Sequence, residues 1–533
     1  MSIKRSLTFL ALVVFINQSF AQQITWANDI ACIIYSHCGS CHGSEKNITG
    51  LQLNSYQDVF NNRLAVELYT HVKTMPPVLP DDAYSHLAGN KRLTDLEIAL
   101  IKEWAIGDAL RGDSTQEPSP PVYTKPTATL PNPDLSVKLP DFIVPDSAGH
   151  YRRCFVLTTP FASGQKIKSV EVIPGNTAAV HGVFLYTDTS SIPAELDDAD
   201  TEPGYEWYYG IGSATATPFY GWVPGKGAFT FPSTLGLKID SGARIIVQLE
   251  YGEEAGGELD STRINLHWDT DSSGRNAQVE TWLSHELNLL NGPFEIPVDS
   301  VKTFHERFDI NEKKTVLGIA PNLHGICDHL KVYAVLSNQD TLPLLAVKDW
   351  NPVWNESVYY FKQVQILPAG SVIYATATFG NTIINQHGSD DTLHDVHAGM
   401  GHDDEEMIFQ FITADYENGD EGIVMDSNQH AVHYLNCEPL HTVGMEYRMK
   451  ADDAGINIYP NPASDRMIFE FNKQASFKPY QLIICNLMGM EVFNDRIDDI
   501  RFEWNVSDLA PGLYIAQVKN NQERKSYKCF IER

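Results

Sequence analysis

The sequence predicts a multidomain chain: an all-α N-terminal domain, two tandem antiparallel β-sandwiches and a small C-terminal β-sandwich. Three observations carry this expectation. The chain has 533 residues, room for three or four folded units at roughly 150 residues each. Apolar spacing is helical as far as about Gly112 and then changes to a period of two. The 36 Gly, 29 Pro, 23 Tyr and 24 Phe suit turn-rich β structure and oppose a long coiled coil or a disordered chain.

At the N-terminus, Lys4 and Arg5 precede an apolar stretch from Leu7 to Phe15, and Ser19-Phe20-Ala21 places small residues at −3 and −1 of a cleavage site. This reads as a secretory signal peptide over 1–21, too short in its apolar part to span a bilayer. Export puts folding where disulfides are permitted. Lys and Arg number 39 against 68 Asp and Glu, a net charge of −29. Such a surface lacks the basic face that nucleic acid or an anionic membrane requires, so neither is an expected partner.

Helical spacing over Val59 to Leu68 and Leu93 to Ile106 places the first domain at 22–112. Thr94, with Glu97 three residues on, predicts a capping box at the head of the second helix. Residues 113–133 contain Pro118, Pro120, Pro121, Pro126, Pro131 and Pro133, which forbids helix and predicts a semi-rigid linker. Beyond Leu135, strand-like segments such as RCFVLTT, VHGVFLYT, ARIIVQLEYG and SVIYATATFG alternate with Gly, Pro, Asn and Asp turns. Their number is too great for one sandwich, giving expected units at 134–283 and 284–447. A further set of short strands fills 448–533.

Cys38-Gly39-Ser40-Cys41-His42 is the sharpest chemical signal. With 8 Cys and 18 His in 533 positions, chance supplies roughly 0.004 such sequences, and CxxCH is a c-type haem attachment motif. Two thiols three positions apart can form thioethers to both haem vinyls while the adjacent imidazole binds iron. A zinc half-site would need a second CxxC, which the chain lacks. Met75, in Lys73-Thr74-Met75-Pro76-Pro77, is the candidate second axial ligand, a thioether that raises the reduction potential. His71 as the ligand, or Met75 as a core residue, are the alternatives. The stretch from Asn28 to Ala109, with GLQLNSY after the motif and LTDLEIALIKEWAIGDA as closing helix, resembles small class I cytochrome c domains of secreted bacterial proteins. The resemblance implies an all-α cytochrome c domain carrying haem c. Cys32 is extra to that pattern.

From Pro133 to about Tyr447, the ordered segments YRRCFVL, SVEVIPGNTAAVHGVFLY, SGARIIVQLEYG, GIAPNLHG, LPAGSVIYATATFGNT and HDDEEMIFQFITADY resemble copper type II ascorbate-dependent monooxygenases. That is the family of peptidylglycine alpha-hydroxylating monooxygenase and dopamine beta-hydroxylase. The resemblance implies two β-sandwiches, one copper held by three histidines and a second held by two histidines and a methionine. Here the first histidine pair is His181-Gly182, the third position is Glu250, the His-x-His pair is Asn322-Leu323-His324, and the methionine is Met407. Only His181, His324 and Met407 keep the ligand type, and a carboxylate or an amide suits Cu(I) poorly. The loop before Met407 offers His387, His394, His397 and His402 among Asp390, Asp391, Asp395, Asp403 and Asp404 as supplementary donors.

Ile456 to Arg533 resembles the type A C-terminal sorting domain of the type IX secretion system of Bacteroidetes, through Tyr459-Pro460-Asn461-Pro462, Asn486-Leu487-Met488-Gly489, Leu509-Ala510-Pro511-Gly512-Leu513-Tyr514, and a last strand with Lys525 and Lys528. It implies the type IX machinery as a partner and a secreted or surface-attached protein. The remaining cysteines, Cys32, Cys154, Cys327, Cys437, Cys485 and Cys529, allow 15 pairings. Cys327 with Cys437 and Cys485 with Cys529 are preferred because each pair shares a domain.

Two functions follow as expectations. One is an exported haem c electron-transfer protein feeding a copper monooxygenase-like region, an oxidoreductase acting with O2 on an organic substrate. The other is a non-catalytic cell-surface binding protein with degenerate copper sites and a redox haem domain.

Overall fold

The computed structural model describes residues 24–43, 51–77, 80–81, 84–89, 92–120, 128–146, 150–157, 165–270, 274–382, 385, 393–425, 456–459, 463, 465–471, 480–486, 491–497, 501–507, 509, 512–519 and 524–531. The signal peptide, the middle of the Pro-rich linker, His387, Asp390, Asp391, Cys437 and the sorting-tail turns at 460–462, 487–490 and 510–511 lie outside them. The chain divides into two compact units, Met1–Cys437 and Glu438–Arg533.

Among the described residues strand accounts for 43% and helix for 16%. This overturns the fold class expected from sequence, since no sizeable all-α cytochrome domain is apparent among the described residues. The N-terminal region holds a π turn Trp26–Ile30 and the helices Ala31–His37, Gly39–His42, Tyr56–His71 and Asp95–Ile106, gathered on Trp26, Ile34, Tyr35, Val59, Ile101 and Trp104. Local signals explain their ends. Ser55 caps the third helix, and the Thr94–Glu97 capping box opens the fourth. Their packing on one another is incomplete, because Leu64, Leu68 and Tyr69 of the third helix are more than half exposed. The region instead leans on β structure: Pro80 bridges to Val347 and Leu87 to Phe361, and the Leu87 side chain joins an apolar core formed by strands. Glu117, inside the expected linker, accepts from Trp26 Nε1 at 2.8 Å and from Arg111 Nε at 2.9 Å.

A nine-stranded sheet runs through both halves of the β region in the order Leu135–Lys138, Arg263–Trp268, Gln165–Ile173, Leu235–Ile239, Arg275–Ser284, Ile408–Asp415, Lys314–Asn322 and Tyr359–Leu367, with Phe229–Thr230 pairing off this path. The strand Arg275–Ser284 stitches the halves: Arg275 to Ala277 pair in parallel with Leu235 to Leu237, and Gln278 to Ser284 pair antiparallel with Ile408 to Thr413. The two halves are therefore built on one continuous sheet. A five-stranded sheet, ordered Tyr205–Glu206, Tyr151–Leu157, Arg244–Tyr251, Val180–Asp188 and Thr217–Trp222, shares an apolar core with its first half. A four-stranded sheet, ordered Ser300–Asp309, Val372–Asn381, Cys327–Val335 and Thr341–Val347, shares one with its second half. No helix among the described residues is long and apolar enough to cross a membrane.

The C-terminal unit has its own core of Met467, Phe469, Leu482, Ile484, Trp504 and Val506. Its sheets are Ile456–Tyr459, Arg466–Phe471, Arg501–Asn505 and Glu491–Ile497, Tyr480–Asn486, Gly512–Lys519, Arg524–Ile531.

Neither preferred disulfide forms, because Cys327 and Cys529 are free. Cys485 lies opposite Ile515 and Cys529 opposite Tyr514, so a whole strand separates them. Two strand spacings, roughly 10 Å, exceed the about 7 Å that a disulfide spans. Cys32, which sequence reading left without a role, is disulfide-bonded.

Glu306, on the strand Ser300–Asp309, is 0% exposed, and neither carboxyl oxygen has a hydrogen-bond partner. Desolvation pushes its pKa up to about 9 from 4.5. Its folded value lies above its unfolded one, so its contribution to stability is full below pH 4.5 and is lost as pH rises towards 9. Glu306→Gln should flatten this slope and stabilise the protein on the order of 3 kcal/mol at pH 7. Urea unfolding at several pH values checks this, and an unchanged slope in the variant rejects it.

Candidate functional site

The CxxCH residues sit at the join of two short helices. Cys38 ends Ala31–His37, and Gly39–His42 follows at once. The backbone NH groups of Cys41 and His42 both donate to the Cys38 carbonyl, which turns both thiols and the imidazole towards one cavity. His42 Nδ1 lies 3.0 Å from the Leu51 carbonyl. A carbonyl only accepts, so Nδ1 carries the proton and Nε2 is the nitrogen that would coordinate a metal, an arrangement usual for metal-binding histidines. Burial lowers the pKa of His42, which keeps the ring neutral, as a ligand must be. Cys38 and Cys41 are both free of disulfides. Desolvation, with Cys41 and Glu97 adding, pushes the Cys38 thiol up to about 12, so it is no metal-binding thiolate.

These residues line a cavity of about 350 Å³. Leu51, Leu53 and Val66 give it an apolar wall, and Met75 reaches it from the turn after Tyr56–His71. His71 is exposed and does not line it. The opposite wall comes from the β region: His150, His181 and Trp354. The residues present therefore fit a covalently attached haem, with apolar walls, two thiols and an oriented imidazole.

The expected copper positions are not assembled. His181, on the strand Val180–Asp188, belongs to the cavity just described, where its ring stacks on Trp354 at 6.5 Å and 14° and meets His150 edge-on at 6.4 Å. Glu250 pairs across the five-stranded sheet with both Arg152 and Gly182. Its carboxylate accepts from Arg152 Nη2 at 2.8 Å and Nε at 3.2 Å. Burial pushes the Glu250 carboxyl up against the pull of Arg152, and the pair is closed to a metal. A Cβ on Gly182 would stand 2.9 Å from the Phe184 ring, so the space of the missing histidine is filled.

In the second half, His324 is buried and lies flat on Tyr209 at 4.2 Å. Its Nδ1 donates to the Asp404 carbonyl at 2.7 Å, and Nε2 faces the Glu406 carboxylate at 3.6 Å. Burial alone would lower its pKa, but Glu406 and Glu405 raise it, the reverse of what a copper ligand needs. Asn322 donates its amide to Glu406, and Met407 packs in the apolar core. Of the supplementary donors, His397 is exposed in a short strand opposite Glu295, and His402 is exposed, 3.0 Å from Asp403. The His394 backbone carbonyl accepts from Asn381 Nδ2 at 2.9 Å. Among the described residues, no group of three or more His, Cys, Asp or Glu is placed to hold a metal ion. The residues at the copper positions do not fit copper.

A second cavity, also about 350 Å³, opens between the halves beside Arg152, Tyr209, His285, Asn322, Glu406 and Gln410. Sequence reading missed the Arg152–Glu250 pair and the cavity roles of His150 and Trp354. The one available signal was Arg152-Arg153, two charges in an otherwise apolar strand.

Residues 457–532 match the model of the secretion system C-terminal sorting domain, which marks the chain for export by the type IX system, to the medium or the cell surface. No curated protein matches the chain. Among solved structures it is similar to PNGF-II at 8% identity and a TM-score of 0.23, covering 52% of this chain and 65% of that one. It is similar to PNGase F, a glycosylasparaginase from Flavobacterium meningosepticum, at 12% identity and a TM-score of 0.23, covering 53% and 95%. A third, dimeric latent PorU from Porphyromonas gingivalis, stands at 10% identity and a TM-score of 0.13, covering 71% and 34%.

Removing one member of the buried pair leaves the other charge uncompensated. Arg152→Met should cost about 3–5 kcal/mol, whereas Arg152→Met with Glu250→Leu should recover most of that loss. Chemical denaturation of the three proteins decides: a single variant no less stable than the double one excludes an ionised Glu250.

Proposed function

We propose that this chain is an exported c-type haem protein that carries single electrons, in which the β region forms one wall of the haem site. The observation that carries the reading is the shared cavity of Cys38, Cys41, His42 and Met75 with His150, His181 and Trp354. Haem bound there would supply an iron centre that changes oxidation state by one electron. Cys38 and Cys41 would anchor the ring through thioethers. His42, oriented by the Leu51 carbonyl, would hold the iron from one side. Leu51, Leu53 and Val66 exclude water, which raises the energetic weight of every charge nearby.

The β region is read as scaffold, since its copper positions are taken up by the Arg152–Glu250 pair, by the Glu406 contacts of Asn322 and His324, and by core packing of Met407. The sorting tail supports function outside the inner membrane, with the type IX machinery as the partner in export.

Purified full-length protein, made in a host that attaches haem c, should retain haem on a denaturing gel and contain iron without stoichiometric copper. Cys38→Ser combined with Cys41→Ser should lose the gel-resistant haem. Absence of covalent haem from the wild type overturns the reading, and copper equimolar with iron restores the monooxygenase alternative.

A further inference from the structure

The second cavity, about 350 Å³, falls in the range of small-ligand sites, roughly 300–1,000 Å³. Strand alternation builds its polar wall. In Ile408–Asp415, Phe409 and Phe411 turn into the apolar core, so Ile408 and Gln410 face the other way, and Glu406 continues that row ahead of the strand. His285, just past Arg275–Ser284, sits beside Glu406. Its NH donates to the Met407 carbonyl at 2.9 Å, and its Nδ1 accepts from the Met407 NH at 3.2 Å. Across the cavity stand Arg152, Phe184 and Tyr186 of the five-stranded sheet.

Three atoms of this wall are left for a ligand. Because Nδ1 accepts, the His285 proton is on Nε2, a donor. Glu406 Oε2 accepts from the Asn322 amide and lies 3.6 Å from His324 Nε2, which leaves Oε1. The Gln410 amide nitrogen donates to the Ala216 carbonyl at 3.1 Å and to Thr281 Oγ1 at 3.2 Å, which leaves its carbonyl oxygen. All three residues are more than nine-tenths buried. None of these three atoms is sealed in, unlike both ring nitrogens of His181.

Those atoms select a chemistry. An apolar ligand would strip water from all three and replace none of its hydrogen bonds. An anion would meet Glu406 and Glu286, while the Arg152 guanidinium is already engaged by Glu250 and by the Tyr208 and Pro352 carbonyls. An ammonium suits the two acceptors but sets a donor against the His285 NH. A hydroxyl both donates and accepts, so it suits all three. Glu406 and Gln410 are four strand positions apart, about 13 Å, which calls for hydroxyls at both ends of a ligand longer than one ring. Phe184 and Ile408 receive its apolar edges.

We propose that this cavity binds a neutral disaccharide, hydrogen-bonded by Glu406, His285 and Gln410. The site is separate from the haem cavity and stands whether or not haem is attached.

Calorimetric titration of the full-length protein with cellobiose, maltose and lactose tests this. At least one should bind with a millimolar or lower Kd, and cellobiouronic acid, which adds a carboxylate, should bind about ten-fold more weakly than cellobiose or not at all. Glu406→Ala should weaken sugar binding about ten-fold. Ala214 is exposed at the cavity rim, so Ala214→Trp should block entry and abolish binding without disturbing a core. Should Glu406→Ala fail to fold, Ala214→Trp decides. No binding of any of the three sugars overturns the proposal, as does equal binding of the acid or binding unmoved by Ala214→Trp. Benzylamine or triglycine bound in their place, and lost in Ala214→Trp, assigns the cavity to an amine or a peptide and overturns it too.

Discussion

The guanidinium of Arg152 ties the two halves of the β region together. It binds Glu250 on the adjacent strand, the Tyr208 carbonyl, and the Pro352 carbonyl of the other half of the β region. Phe184 and Tyr209 flank it at 5.9 and 5.8 Å. A buried cation is tolerated only when its hydrogen bonds are satisfied, so the position of the Pro352–Trp354 turn is fixed by this demand. Trp354 is the residue that stacks on His181. The shape of the cavity wall thus depends on an ion pair one layer behind it.

The positions expected to hold copper are occupied by other interactions. Glu250, Gly182, Asn322 and Glu406 each have an engagement: a carboxylate on a guanidinium, a glycine beneath a phenylalanine ring, an amide on a carboxylate. Such replacements are mutually consistent, which is how a sequence specifies one structure.

Much of the local structure was legible. The Thr94–Glu97 cap, the strand segments after Leu135 and the convergence of CxxCH residues on one cavity all depend on neighbours close in sequence. The fold class was not. Helical spacing in Tyr56–His71 says that a helix forms, but not that Leu64 and Leu68 stay exposed while Leu87 crosses to a strand core. Strand periodicity likewise gives no sign that Arg275–Ser284 changes partners midway and runs one sheet through both halves. His181 shows the same limit at the site. Sequence order grouped it with Glu250, whereas the fold groups it with Cys38, Cys41 and His42.

The three cysteines of the first helical turns differ in state. Cys32 is oxidised, while Cys38 and Cys41, within ten positions of it, are reduced. An oxidising compartment could join Cys38 and Cys41 to each other or to Cys32. Only thiolates enter such exchange, and the folded chain holds Cys38 protonated by removing it from water. Packing of the first helical turns therefore sets Cys38 apart from Cys32, its neighbour in sequence, by the same desolvation that builds the cavity.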